Sequence, residues 1–191
     1  MKILAISGSL RSASLNSALL RAMAQLAPTG ISVELYTELG QLPLFNPDIE
    51  ASDPPAVARL RTQVLAADAV AIASPEYAHG IAGVMKNALD WMVGCEAFVN
   101  KPVALLNASP RAVHAQAALK EVLTMMSALL VEDASITVPV LGIHQDENGI
   151  LADSALTEAL RLALQTLRAT IDQKRAALPA IQAKQDTIRK I

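Results

Sequence analysis

The chain of 191 residues has a single cysteine, no long apolar run and little net charge. One thiol cannot form an internal disulfide or a zinc cluster, so Cys95 fits a reducing compartment, either as a small hydrophobe or as a reactive thiol. No stretch approaches the ~20 apolar residues needed to cross a bilayer, and the start, MKILAIS, lacks the features of a signal peptide. These absences predict a cytoplasmic protein.

The charge balance argues against nucleic acid or an anionic membrane as a partner, since 16 basic and 18 acidic residues give a net charge of -2. A local pocket can still be basic. With 52% hydrophobic and 18% charged residues, the chain can form a large core. Its length fits one domain and leaves no room for a second cofactor domain.

Short apolar runs alternate with segments of helical period along the chain. Strands such as ILAI and AVAIA are apolar at successive positions, which is typical of a sheet covered on both faces. The pattern predicts five strands and five helices, and therefore an α/β, doubly wound parallel sheet. The predicted helices include 57–65, 83–93, one through Leu119 to Leu130 and one from Asp153, and the last strand is predicted at 136–141.

Three polar loops each follow a predicted strand: SGSLRSASLN, SPEYAHGIAG and NASPR. In open parallel sheets, ligands bind beyond the carboxyl ends of the strands, so these loops should meet at one edge. The alternative is that each loop is an ordinary solvated connection. Solvated connections would explain the serines in the three loops, but not why all three polar loops directly follow predicted strands.

The first loop has the donors of a phosphate site. A helix beginning near Ser14 would direct its free N–H groups and its positive dipole end into the loop. The guanidinium of Arg11 can donate hydrogen bonds to two phosphate oxygens at once. Further short side-chain donors are Ser9, Ser14 and Asn16. Taken alone, Ser14 is equally a helix cap and Arg11 a surface arginine.

Other phosphate-binding classes fit poorly. The chain has no GxxxxGK[ST] and no GxGxxG, which disfavours a nucleotide triphosphatase and a standard dinucleotide fold. A response regulator would need acidic residues where Ser7 and Ser74 end their strands, and a cysteine phosphatase would need its thiol in the first loop. The remaining candidate ligand is a compound with one phosphate, bound by the first loop, and a second group, bound by the other two loops.

The second loop suits a planar heterocycle, because Pro75 and Tyr77 offer flat apolar surface and Glu76 to Ala78 offer backbone groups along an extended edge. Tyr77 is equally a packed surface residue. In the third loop, Ser109 is placed to meet the far edge of the ring, next to a helix predicted to start at Pro110. Negative charge on a reduced ring would be stabilised there, and Arg111 either adds to that effect or faces water.

Four segments, GSLRSASLN, LPLFNPD, PEYAHGIAGVMKNALDW and KPVALLNASP, closely resemble the NADPH-dependent FMN reductase family of flavodoxin-like proteins. The match runs from Met1 to about Leu167. It implies a three-layer fold with strand order 2-1-3-4-5, a domain over 1–170 and a helical extension over 171–191. In the tail, Leu178, Ile181, Ile188 and Ile191 recur at helical spacing, which suits either packing on a neighbouring subunit or a loosely docked extension.

The resemblance implies FMN as cofactor and NADPH or NADH as electron donor. The residues that it places at the cofactor are Ser9, Arg11, Ser14 and Asn16 around the phosphate, Pro75, Glu76, Tyr77 and Ala78 along the ring, and Ser109 in the third loop. Three departures bear on ring affinity or substrate choice: Ala78 stands where the family usually has Asn, Ala82 replaces a frequent Pro, and SPRAVHAQ lacks the glycines often found there.

The implied activity is reduction of a quinone-like acceptor, an azo compound, chromate or free flavin. Since one domain must serve donor and acceptor in turn, ping-pong kinetics are expected, with no acid, base or nucleophile assigned. The family also implies a homodimer or homotetramer built partly on the helix at 83–93, where Trp91 is a core or interface residue. The rival functions are an electron-carrying flavodoxin and a regulatory flavin-binding protein without reductase activity.

Overall fold

The computed structural model describes residues 1–138 and 146–188, and it shows a parallel sheet enclosed by helices. The strands of the main sheet are β1 (Lys2–Ser7), β2 (Ser32–Tyr36), β3 (Ala69–Ala73), β6 (Pro102–Asn107), β7 (Leu129–Leu130) and β8 (Ile136–Thr137). Four of them pair in the order β2-β1-β3-β6, the short strands β7 and β8 lie beside β6, and all these pairings are parallel. A separate hairpin consists of β4 (Glu76–Tyr77) and β5 (Gly80–Ile81). The predicted α/β fold and strand order are confirmed.

Helices cover the sheet on both faces. They are α1 (Leu15–Gln25), α2 (Pro55–Ala66), α3 (Gly83–Val93), α4 (Val113–Met125), α5 (Glu147–Ala152) and α6 (Ser154–Ile188). One apolar cluster joins the sheet to α1, α5 and α6, and a second joins it to α2, α3 and α4. Every residue of β3 and β6 is buried, as a central strand between two helical layers requires.

The fifth strand is broken in two. β7 and β8 each pair with β6, and a 3₁₀ turn, Glu132–Ala134, lies between them. The Ser135 hydroxyl accepts a hydrogen bond from Leu105 N (3.0 Å) and so replaces a missing strand partner there. The predicted helix through Leu130 is wrong at its end: α4 stops at Met125, because Ser127 turns the backbone into the left-handed region (φ 58°).

Helix caps fix the other boundaries. Ser14 caps α1 as predicted, and Asp153 Oδ1 accepts hydrogen bonds from Ala155 N (2.9 Å) and Leu156 N (3.1 Å) at the start of α6. The short helix α5 was not predicted. Helix α6 is continuous across position 170, and Leu160, Leu164 and Leu167 are fully buried against the sheet.

Trp91 belongs to the core: it is 1% exposed, and its indole N–H donates to the Pro43 carbonyl (2.8 Å). No helix within residues 1–138 and 146–188 is long and apolar enough to cross a membrane. The predicted strand end at Leu141, the tail residue Ile191 and the side chains of Leu178, Ile181 and Ile188 lie outside the part of the chain that is described.

Candidate functional site

The three polar loops meet at the carboxyl edge of the sheet, as the sequence predicts. They follow β1, β3 and β6 and cover residues 8–14, 74–82 and 108–112. Two hollows open at this edge. The first, of about 260 Å³, lies between the start of α1 and the second and third loops; the second, of about 460 Å³, lies between the first loop and the start of α3.

The first and second loops are in direct contact at Gly8. Its N–H donates to the Ala73 carbonyl (2.8 Å), which continues the pairing of β1 and β3 by one residue. A Cβ built on Gly8 would lie 2.2 Å from Ser74 Oγ and 2.7 Å from Ser74 Cβ. Only glycine allows this approach, so Gly8 sets the spacing of the two loops.

The first loop is organised by its own serines. The hydroxyls of Ser7 and Ser17 lie 2.7 Å apart, Ser9 N donates to Ser7 Oγ (3.3 Å), and Arg11 N donates to Ser9 Oγ (3.4 Å). Ser14 is 5% exposed, and its hydroxyl oxygen accepts from Ser17 N (3.3 Å). The cap uses only the acceptor side of Ser14, so its hydroxyl hydrogen remains available to a ligand.

The second loop is a tight hairpin: Glu76 and Tyr77 form the extended strand β4, as predicted, but Ala78 does not continue it. Ala78 (φ 48°) and His79 (φ 59°) are both left-handed, the backbone of a two-residue turn that Asn and Gly usually occupy. The Glu76 carboxylate caps α4, accepting from Ala115 N (2.9 Å). The His79 imidazole stacks on that of His114, with the ring centroids 4.3 Å apart.

The third loop begins at Asn107, which is 4% exposed and accepts from Ser109 N (3.0 Å) through Oδ1. Ser109 Oγ in turn accepts from Arg111 N (3.4 Å). The helix predicted to start at Pro110 starts at Val113, because residues 109–112 form a turn closed by Ala112 N and the Ser109 carbonyl (3.1 Å).

The structure distributes the nine predicted site residues over the two hollows. Asn16, Pro75, Glu76 and Ser109 line the first hollow, and Ser9, Arg11 and Tyr77 line the second. Ser14 and Ala78 lie in the same loops but outside both linings. Of the loop at 8–14, only residues 8–11 line a hollow, and they line the second.

Sequence reasoning missed three features of this site. Ser74, which is fully buried, and Asn107 both line the first hollow. Their position at the end of a central strand was the available signal. The stack of His79 on His114 joins residues 35 positions apart, and nothing in the local sequence indicated it. Among the described residues, no cluster of three or more His, Cys, Asp or Glu side chains is suited to hold a metal ion.

Comparison with known proteins agrees with this architecture. Residues 1–140 match the family model of NADPH-dependent FMN reductases. The chain is 38% identical over 174 residues to an NAD(P)H-dependent FMN reductase of Pseudomonas aeruginosa, covering 88% of this chain and 94% of that protein. It is 34% identical over 173 residues to a 2-hydroxy-1,4-benzoquinone reductase of a Burkholderia species, covering 87% and 91%.

Among solved structures, the flavoenzyme FerB from Paracoccus denitrificans, an NAD(P)H:(acceptor) oxidoreductase, superimposes with a TM-score of 0.77 at 29% identity. The alignment covers 90% of this chain and 97% of FerB. A sheet with three polar loops at its carboxyl edge, a family model matching most of the sequence and a relative spanning nearly the whole chain thus agree. The chain belongs to the NADPH-dependent FMN reductase family.

Proposed function

We propose that this protein, an oxidoreductase that uses FMN and NAD(P)H, passes electrons to a quinone-like acceptor by a ping-pong mechanism. The observation that supports it most is the first hollow, where two helices begin and two central strands end around three buried polar side chains, Asn16, Ser74 and Asn107. Its donor set suits a molecule with a phosphate, hydroxyls and a flat ring.

The phosphate would bind at the first loop. Among the described residues, the backbone N–H groups of Leu15 and Asn16 have no hydrogen-bond acceptor, and α1 has no acidic side chain in its first turn. The Asn16 Oδ1 atom is buried without a partner in the described part of the chain. An unsatisfied buried acceptor costs about 1–3 kcal/mol, which a ligand hydroxyl that donates to Asn16 Oδ1 would remove. We assign Ser9, Arg11, Ser14 and Asn16 to this role.

The ring would lie along the second and third loops. Pro75 and the 57% exposed Tyr77 offer apolar surface, and Ser109 stands on the opposite wall of the first hollow. Glu76 contributes by position rather than by direct contact, because its carboxylate joins the hairpin to α4. Ala78 has only a methyl side chain, so its contribution is limited to its backbone groups.

Bound FMN would supply the chemistry of two-electron transfer from NADPH or NADH to the acceptor. The protein's residues bind and orient it. Since the same open edge of one domain must admit both the nicotinamide and the acceptor, the two substrates would bind in turn, and the first product would leave before the acceptor enters.

The acceptor class rests on relatives. Three of the relatives with more than 30% identity over most of this chain are named as reductases or oxidoreductases of quinones, from a Burkholderia species, Oryza sativa and Arabidopsis thaliana. A quinone is flat and of a size that suits the hollows. An azo compound, chromate or free flavin remains in the same proposal as an alternative acceptor.

We also propose a homodimer or homotetramer. Apolar side chains are exposed on the segment before α2 and at the end of α3, with Leu44 83% and Val93 63% exposed and Phe45 and Ile49 partly exposed. Phe45 packs edge-on against Trp91, with the ring centroids 5.1 Å apart, so the Phe45 side chain is anchored on the core. Residues 171–191 are proposed as an extension of the 1–170 domain, and a cytoplasmic location stays a prediction.

The test is steady-state kinetics on the FMN-loaded protein with NADPH or NADH and a benzoquinone. Initial rates measured over a grid of both substrates should give parallel reciprocal plots. Intersecting plots would refute the ping-pong mechanism, and absence of quinone-dependent NAD(P)H oxidation would refute the acceptor class.

A further inference from the structure

Arg111 is the cationic side chain in the wall of the first hollow, and it has no ionic partner there. Five described arginines pair with carboxylates, namely Arg21, Arg59, Arg61, Arg168 and Arg175. In the described part of the chain, Arg11, Arg111 and Arg161 make no ion pair. Arg11 lines the second hollow, and Arg161 belongs to α6 and lines neither hollow, so Arg111 alone of these three lines the first hollow.

The backbone of Arg111 is fixed although its side chain is exposed. Its N–H donates to Ser109 Oγ (3.4 Å), and the next residue, Ala112, donates to the Ser109 carbonyl (3.1 Å). Ser109 is itself held by Asn107 Oδ1. The backbone that carries Arg111 is therefore held at the rim by a short, hydrogen-bonded turn.

Few negatively charged groups lie near Arg111 at the first hollow. Glu76 is the acidic residue in the lining of this hollow, and its Oε2 accepts from Ala115 N (2.9 Å), a backbone group in the first turn of α4. Neither α1 nor α4 carries an acidic side chain in its first turn, so the positive ends of both helix dipoles face this edge. His114 lies one residue into α4 and stacks on His79. Arg111 adds to a positive potential at this rim.

The two parts of FMN respond differently to such a charge. The phosphate carries its charge whether the flavin is oxidised or reduced, whereas the ring gains charge on reduction. Two electrons from NAD(P)H and one proton convert the neutral ring to one with a single negative charge, and a second proton, if taken up, restores neutrality. A cation beside the ring therefore favours the reduced state over the oxidised state.

We propose that Arg111 stabilises the negative charge of the reduced flavin and so raises the reduction potential of bound FMN. This inference rests on the proposed function, since it requires FMN in the first hollow. The third loop of this chain lacks the glycines often found in the family, and under this proposal its Arg111 supplies a cation at the ring.

The experiment is to measure the midpoint potential of the FMN-loaded protein by dye-mediated titration for the wild type, Arg111→Gln, Arg111→Lys and Arg161→Gln. Arg111→Gln should lower the ratio of the affinities for reduced and oxidised FMN about tenfold, the size expected for one partly screened charge. For a two-electron couple that ratio is a shift of about -30 mV. Arg111→Lys should keep most of the wild-type potential, and Arg161→Gln should leave it unchanged.

Arg11→Gln is the matched control for a phosphate contact. It should weaken binding of oxidised and reduced FMN by similar factors, with little change in potential. If Arg111→Gln behaves in that same way, or leaves the potential unchanged, the inference is wrong while the proposed function stands. If the wild-type protein fails to bind FMN at all, both are wrong.

Discussion

Replacing Gly8 with alanine tests the contact that sets the spacing of the first two loops. The new Cβ would lie 2.2 Å from Ser74 Oγ and 2.7 Å from Ser74 Cβ, well inside any tolerated separation. Ser74 is fully buried and follows the central strand β3 directly, so it has little room to move. The β1 and β3 ends, or the loops that follow them, would have to separate.

The expected cost is that of overpacking a core, about 1–3 kcal/mol of the free energy of unfolding. For a chain of this size, each kcal/mol lowers Tm by about 2–4 °C. Gly83→Ala is the matched control, because a Cβ built there has no atom of the described residues within 4 Å other than its own chain neighbours and helix backbone. At that helical position alanine should stabilise the protein by about 0.4–1 kcal/mol.

Urea denaturation of four proteins completes the test: the wild type, Gly8→Ala, Ser74→Gly and the double variant. Removing the Ser74 side chain takes away the two closest atoms and leaves its Cα at 3.1 Å. The double variant should therefore recover stability relative to Gly8→Ala, with a coupling energy of about 1 kcal/mol or more. Equal stability of Gly8→Ala and Gly83→Ala, or simple additivity in the double variant, would refute the reasoning.

Two further predictions concern single side chains. Ala78→Gly should raise the free energy of unfolding by about 1 kcal/mol, because Ala78 is left-handed (φ 48°) and glycine removes the steric cost; a lower urea midpoint would contradict this. Tyr36→Phe should be neutral or stabilising by about 1 kcal/mol at pH 7, since the buried Tyr36 hydroxyl has no partner in the described part of the chain. Burial first, and then the Glu38 carboxylate, raise the pKa of Tyr36, against the opposing effect of Arg59. The unfolded chain therefore loses the Tyr36 hydroxyl proton at a lower pH than the folded chain, so the free energy of unfolding of the wild type should fall as pH rises above ~10. Tyr36→Phe should lose less stability over the same range. Identical dependences of stability on alkaline pH would contradict the account.

The sheet and the location of the site were predictable because they depend on local pattern. Runs such as AVAIA are apolar at every position, and parallel strands require crossover helices, which leaves few topologies. Once that topology is fixed, polar residues that follow strands must meet at one edge. The cap at Ser14 was also predictable, because its signal is confined to a few neighbouring residues.

The details of the loops depend on contacts between distant residues. The hairpin at Ala78 and His79 lacks the Asn-Gly signature of its turn, so its left-handed backbone is held by tertiary contacts, including the stack of His79 on His114. The break in the fifth strand depends on the turn at Ser127 and on the Ser135 hydroxyl bound by β6. The division of the predicted site between two hollows depends on where the first loop rests against Ser74, which no local pattern encodes.

The central claim is that the first loop binds the phosphate of FMN, and calorimetric titration tests it most directly. Wild-type protein should bind FMN at least tenfold more tightly than riboflavin, which lacks the phosphate. Arg11→Ala should lose about 10- to 100-fold in FMN affinity, as expected for a charge-assisted hydrogen bond worth about 1.5–3 kcal/mol, and should bind riboflavin as the wild type does. Absence of heat with saturating FMN, or equal affinities of the wild type for FMN and riboflavin, would contradict the account.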